Sequence, residues 1–580
     1  MAWTQRKYPA LVLLCLLAAC GGRTTDDEGM STDDAGAGGD AGMSTGDAGP
    51  DAGDAGTGAD AGTSTGDAGN VPPGSSAMTF SPSTLTGTYG SGDSIGLSVA
   101  ATLPAPLSGD VYVKIVDGAG VLNPGIYLQS SSSPGTYYAS VSTSSKLPPG
   151  RHQGVFEIWL CRDNGCSAQH PGSPGYLPYD LQVLQGTNLT PLTRWPTLSD
   201  WETYQGNAAH TGYVPVTLDP SRFTPRWTWR PPENLLSLSP PVIANGLVYV
   251  ANSTDWMSED APRTLYALRE SDKETEWLFD FGSTVTLNPP AVSGGKVFVA
   301  TTGYSEGAMW SLDATTGVRL SKTTFGSQHV RYYAPTIENG VVYSTCETYG
   351  GMCAFNSADG ARNWVTPLEL HDDWTPAVDA SYAYTYLEGV LSALVKSTGE
   401  IAFTIADPRY EWDGFGTYGA PVLGTNGAVI AVSGGNTFHD NHLVSVNTAK
   451  RTLNWSVTGR YGGAPVLARG VVYVTNMPTG SPGTPRPRVE ARRESTGALL
   501  WSWTPARTDE WARSNLHGDY CDLLVTDNLL FVSTSERVYA IDLTTHAPVW
   551  SYWRTGNLAI SANGVLYIGS GGTLGAVNLK

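Results

Sequence analysis

Four short stretches of the chain gather aromatic rings beside charged groups. They are His329-Val330-Arg331-Tyr332-Tyr333, His371-Asp372-Asp373-Trp374, Tyr410-Glu411-Trp412-Asp413-Gly414-Phe415, and Asp509-Glu510-Trp511-Ala512-Arg513 running on to His517-Gly518-Asp519-Tyr520. An aromatic face gives apolar contact area, and a carboxylate, guanidinium or imidazole beside it gives hydrogen bonds. That pairing suits a sugar, a peptide or another polar ligand. The candidate binding residues are Arg331, Tyr332, His371, Asp372, Asp373, Trp374, Tyr410, Trp412, Asp413, Trp511, His517 and Asp519. The same rings also suit packing between repeated units, with Trp374 and Trp511 as wedges and the charges solvated, and both readings stand at this level.

No other chemistry is spelled out. HExxH and P-loop patterns are absent, and the nine histidines are scattered rather than spaced as metal ligands. No catalytic residue or metal site is assigned. Cys161 and Cys166 flank Asn164-Gly165, a tight-turn signal that lets the two thiols face each other across a hairpin. Cys346 and Cys353 flank another turn, where a disulfide is favoured over a metal pair in an exported protein. Cys521 is left over as a free thiol, buried or reactive.

The aromatic clusters need a scaffold that brings distant segments together, and an internal repeat supplies it. From Trp227 onward a unit recurs at about 45 residues, the period of propellers and solenoids. Its first half reads Pro-x-Val/Ile, a glycine turn and a Val-Tyr-Val strand, as in Pro241-Val242 to Val248-Tyr249-Val250 and Pro465-Val466-Leu467 to Val471-Val472-Tyr473-Val474. Its second half is a strand, a polar turn and a closing aromatic, as in Leu265-Tyr266-Ala267-Leu268 to Trp277 and Cys353-Ala354-Phe355 to Trp364. The last copy, near Leu574 to Asn578, lacks its outer strand, and Pro225-Arg226-Trp227-Thr228-Trp229 is such a strand without a unit in front of it. Joining the two closes a ring and removes exposed sheet edges. The expectation is an all-β chain with an eight-bladed β-propeller over 195–580, its inter-blade connections gathering the aromatic clusters at one channel mouth.

Ahead of the propeller, residues 78–187 alternate apolar and polar residues in short runs, the pattern of a β-sandwich. Residues 20–77 reduce to Asp, Ala, Gly, Ser and Thr, with Asp-Ala-Gly recurring from Asp34 to Asp67. Such a segment buries too little apolar surface to order itself and is expected to be a disordered tether. Residues 1–19 combine Arg6-Lys7 with a short apolar run ending in Leu17-Ala18-Ala19, a secretory signal. The formal charge of −19 argues against nucleic-acid binding, although roughly half of it lies in the tether.

Three resemblances sharpen this. Leu17-Ala18-Ala19-Cys20-Gly21 resembles the lipobox of bacterial lipoproteins, which implies lipidation at Cys20 and an outer-membrane anchor. Gly172-Ser173-Pro174 with Leu177-Pro178-Tyr179 resembles the last strands of bacterial Ig-like domains. The repeats, with the lead-in Trp201-Glu202-Thr203-Tyr204-Gln205-Gly206-Asn207 to His210-Thr211-Gly212, resemble the PQQ-like propellers, and among them BamB-type assembly lipoproteins. That resemblance implies a protein-interaction scaffold, with a polysaccharide- or ligand-binding propeller as the alternative. PQQ dehydrogenases of this architecture carry adjacent cysteines over the quinone, and this chain has none, so no cofactor is expected and a PQQ-dependent dehydrogenase is the remote alternative.

Overall fold

The computed structural model describes residues 78–580 apart from 109–110, 126, 131–134, 233–237, 253–262, 304–305, 328–333, 369–372, 412–417, 434–439, 478–486, 507–521 and 571. Val-, Tyr- and Phe-rich runs fit a pleated, half-buried surface, and the turns between them force the chain back on itself. Asn245-Gly246 and Asn339-Gly340 place consecutive residues at φ of 52° and 80° and of 50° and 77°. Two positive φ values in a two-residue loop make the hairpin turn whose twist matches that of the strands.

Among the described residues eight blades form, six of them four-stranded antiparallel sheets; blade 2 splits its inner strand into Thr286–Leu287 and Ala291–Ser293, and blade 7 adds Tyr213–Val214 parallel to its inner strand. In blade 1 the order from inside outward is Val242–Ala244, Leu247–Ala251, Thr264–Arg269 and Thr275–Asp280. Blades 2 to 7 follow at 286–326, 336–367, 377–406, 422–459, 461–503 and 523–552. Blade 8 takes three strands from 557–578 and its outer strand, Thr224–Trp229, from the front of the repeat region. That strand runs antiparallel to Thr573–Asn578, with Thr224 opposite Asn578 and Trp229 opposite Leu574. The expected half-blade closure is present.

Adjacent blades are fastened by the closing aromatics. The indole N–H groups of Trp277, Trp364 and Trp455 donate to the carbonyls of Ala314, Lys396 and Glu494 in the next blade, at 3.0, 2.8 and 2.7 Å. Each ring lies on a glycine of that turn: a Cβ on Gly399, whose φ is 78°, would sit 2.5 Å from Trp364. Trp227 repeats the bond across the closure, donating to the Glu270 carbonyl at 3.0 Å. Blade 7 varies the device, with His546 in the glycine's place at φ 58° and stacked on Trp501 with centroids 4.5 Å apart.

The sandwich pairs two four-stranded sheets, one of which sets Leu85–Gly90 parallel to Gly175–Leu184. Strict alternation of burial along Gly175–Leu184 points one face at a core containing Tyr89, Leu97, Phe156 and Leu181. The sandwich and ring share a buried joint. Trp553, between blades 7 and 8, belongs to the sandwich core and donates its backbone N–H to the Thr88 carbonyl at 3.3 Å. Gly87 permits this approach, since a Cβ there would lie 2.9 Å from the indole nitrogen. Arg554 pairs with Asp93 at 2.8 Å, and both side chains are almost fully buried. Both hairpin disulfides, Cys161–Cys166 and Cys346–Cys353, are formed.

Candidate functional site

The polar lead-in to the first blade winds once around the inside of the ring. It enters beside blade 8, where Trp195 N–H donates to the Ala562 carbonyl and Arg194 pairs with Asp200 at 2.7 Å. The carbonyls of Trp201, Glu202, Ala208, Ala209, Thr211 and Gly212 then accept from the inner-strand amides of Ile243, Val292, Val378, Leu423, Leu467 and Val525. These belong to blades 1, 2, 4, 5, 6 and 7 in turn. Blade 3 is reached through Thr203, whose hydroxyl donates to the Pro335 carbonyl at 2.8 Å. The inner edge of a propeller is a ring of unpaired backbone groups, and this hoop satisfies them in chain order.

Local chemistry bends the hoop. Asn207 accepts from the amides of Ala209 and Thr211 and donates to the Thr211 hydroxyl at 2.7 Å, an Asx-type turn. A Cβ on Gly206 would come within 2.7 Å of the Trp201 ring, so only glycine fits there. The hoop lies toward the end where the inner hairpin turns sit: Asp200 accepts from the Asn245 amide and the Val216 carbonyl from Asp527.

Three titratable groups lie on the hoop or on the inner strands beside it. His210 is buried, its Nε2 lies 3.0 Å from the Thr336 hydroxyl, and its ring stands edge-on to Tyr204 with centroids 5.7 Å apart. Burial holds its pKa down at about 3, so it is neutral. Burial, and next the Asp522 carboxylate, push the Tyr204 phenol well up. Asp522 opens the inner strand of blade 7 and accepts from the amides of Leu523 at 2.9 Å and Leu558 at 2.6 Å. Burial outweighs those two N–H bonds and raises its pKa to about 7. Tyr204 and Asp522 nevertheless each keep part of their surface open to solvent. The buried Oε1 of Gln205 has no hydrogen-bond partner, while its Nε2 donates to the Pro465 carbonyl at 3.0 Å.

Most of the sequence-derived candidates, Arg331, Tyr332, His371, Asp372, Trp412, Asp413, Trp511, His517 and Asp519, fall outside the described residues, as do Cys20 and Cys521. Asp373–Trp374 forms a short parallel bridge with Tyr418–Gly419, which draws the connections after blades 3 and 4 together. Trp374 is buried in the core with Tyr343, Trp364 and Val378, so it packs rather than offering an exposed platform. Tyr410 is half-buried with its ring against the Gly389 backbone. Tyr204, His210 and Asp522 were not among the candidates. The signal that could have found the first two is a run of polar residues with two glycines placed directly before the first blade.

Repeats, ring and hoop can now be set beside known proteins. The family model described as the outer membrane protein assembly factor BamB matches residues 216–323 and 318–503. The chain belongs to the PQQ-like repeat propellers. Among solved structures it is similar to BamB from Moraxella catarrhalis, at 14% identity and a TM-score of 0.45, over 61% of this chain and 99% of that one. It is also similar to the quinohemoprotein alcohol dehydrogenase ADHIIG from Pseudomonas putida HK5, at 13% identity and a TM-score of 0.49, over 66% of this chain and 80% of that one. No curated protein matches the sequence. Among the described residues, no helix is long and apolar enough to cross a membrane.

Proposed function

We propose that this protein is a lipid-anchored scaffold of the bacterial envelope that binds a protein partner on the outer rim of its propeller. The observation that carries this is the exposure of large apolar side chains on the outermost strands of six blades. They include Leu278, Leu320, Val365, Ile401, Leu499 and Val549, with Leu278 55% exposed. Outermost strands also present unpaired backbone groups, which favours strand-like or apolar recognition by another chain. The buried sandwich joint would hold the rim at a fixed angle to the tether, and Cys20 would anchor the tether to the outer membrane.

The chain itself argues against a quinone cofactor. Neither disulfide joins adjacent residues, and six of the hoop's backbone carbonyls accept from inner-strand amides. One observation favours polysaccharide as a second class of ligand: Tyr349, on the turn closed by Cys346–Cys353, is 81% exposed and would offer a sugar its face. The test is cross-linking capture from native membranes with wild type and with Leu278→Asp/Leu320→Asp/Ile401→Asp. The scaffold reading expects a partner that the folded triple variant loses. Equal capture by both would refute the rim.

A further inference from the structure

We infer that the turn end of blades 5 and 6 lies against an anionic phospholipid bilayer, with Lys450, Arg451 and Arg493 on the headgroup phosphates and Leu499 and Leu500 in the headgroup layer. The whole chain has 34 basic against 53 acidic residues, yet between Asn441 and Arg507 there are nine Lys or Arg and only two Glu. Both of these, Glu490 and Glu494, are buried, so no carboxylate of this stretch reaches the surface. Salt screens exposed charges over about 8 Å at physiological ionic strength, so a surface in contact with this sector meets it as basic in spite of the net charge of −19.

Most of the nine cations are already committed or fall elsewhere. Arg486 and Arg507 lie outside the described residues. Arg488 and Arg492 pair with Glu490, Arg460 with Asp440, and Arg469 with Asp527. Lys450, Arg451 and Arg493 remain, all exposed and, among the described residues, without an ion pair. Topology puts them at one end of the ring, because in an antiparallel blade the turn between strands one and two and the turn between strands three and four lie on the same side. The amide of Thr448 donates to the Gly427 carbonyl across the two turns of blade 5, at 2.8 Å, and that of Glu494 to the Gly470 carbonyl across those of blade 6, at 2.9 Å. The Trp455 indole and the Thr425 amide of blade 5 both donate to Glu494, which interlocks the two turn ends.

The leucines decide the occupant. The Arg493 amide donates to the Ala498 carbonyl, and Leu499 then opens the outermost strand of blade 6. A register shift between Ala491 and Arg492 makes Leu500 the extra residue, and the two leucines are 49% and 43% exposed. An acidic peptide or an acidic glycan would satisfy the cations and leave both leucines in water. An anionic bilayer satisfies both, since interfacial surfaces bind through cations on the phosphates together with apolar side chains at the headgroup boundary. The bilayer takes only this sector of the rim and leaves Leu278, Leu320 and Ile401 to the protein partner proposed above, so the two readings share the envelope location alone.

The test is co-sedimentation with vesicles, using the chain from residue 20 onward with Cys20→Ser so that no acyl chain contributes. The vesicles are phosphatidylcholine alone, or phosphatidylcholine and phosphatidylglycerol in equal parts. This parent protein should bind the mixed vesicles far better than phosphatidylcholine alone, and added salt should release it. Each cation near an anionic membrane is worth about fivefold in partitioning, so Lys450→Gln/Arg451→Gln/Arg493→Gln should lose about 100-fold. Leu499→Ser/Leu500→Ser should lose about tenfold or more. Leu278→Asp/Leu320→Asp/Ile401→Asp should bind vesicles as the parent does, which separates this result from loss of the partner. No binding to the mixed vesicles, or equal binding by the folded glutamine variant, overturns the inference. Undiminished binding by the folded serine variant overturns it in favour of a soluble polyanion.

Discussion

Removing the Asp93 carboxylate should detach the sandwich from the ring. Asp93 and Arg554 form their 2.8 Å ion pair with side chains only 7% and 9% exposed, so neither charge is solvated if its partner is lost. In Asp93→Ala, Arg554 keeps the hydroxyls of Thr573 at 2.8 Å and Thr228 at 3.0 Å but has no counter-charge. Orphaning one member of a buried pair costs about 3–5 kcal/mol, and the two surviving hydrogen bonds place this case near about 3. Arg554→Met orphans Asp93 in turn and should cost about the same. The double variant leaves no buried charge, so the cycle should show a coupling of about 2–3 kcal/mol. Calorimetry supplies the second reading: sandwich and ring should melt together in wild type and separately in Asp93→Ala. Additive single costs, with a coupling under about 0.5 kcal/mol, would refute the view that this pair holds the joint.

Gly399→Ala should cost about 1–3 kcal/mol by denaturant titration, because the new Cβ meets Trp364 at 2.5 Å and the residue must keep a φ of 78°. Asp522 has a folded pKa of about 7 against 3.8, so its contribution is fully present below pH 3.8 and is lost as pH rises through 7. The stability of wild type relative to Asp522→Asn should therefore fall across that window. His210 acts with the opposite sign: its folded pKa of about 3 against 6.5 gives stability that is present above pH 6.5 and lost as pH falls toward 3. Between about pH 4 and 6.5 the two slopes oppose each other, so unfolding of Asp522→Asn should show a steeper loss toward acid than wild type.

Much of the fold is legible because repetition amplifies weak local signals. One short apolar run is ambiguous, but eight copies of the same strand-turn-strand unit specify blades, and the orphan strand around Trp227 identifies its own partner at Leu574 to Asn578. The turns around Cys161 and Cys346 were equally readable, since turn chemistry and cysteine spacing are local. The joint was not, because Asp93 and Arg554 lie 461 residues apart and each alone looks like a solvated surface charge. Tyr204, Gln205 and His210 were passed over for a related reason. Polar residues outside any strand pattern read as linker, whereas here the ring's inner edge supplies the partners that let them be buried. Asp522 looks like an ordinary strand-flanking aspartate until the hoop places Tyr204 nearby. Trp374 resolved toward packing because the connection that carries it folds back into the seam between blades.

The central structural claim is that the lead-in segment is a built part of the channel rather than a linker resting in it. Hydrogen exchange at the amides of Ile243, Val292, Val378, Leu423, Leu467 and Val525 tests this most directly, since each donates to the hoop. If the hoop is integral, these six amides in six different blades should be protected together and exchange only through an opening common to the ring. Rapid exchange at all six while the second strands of the same blades stay protected would show that the hoop detaches by itself, and would contradict the account.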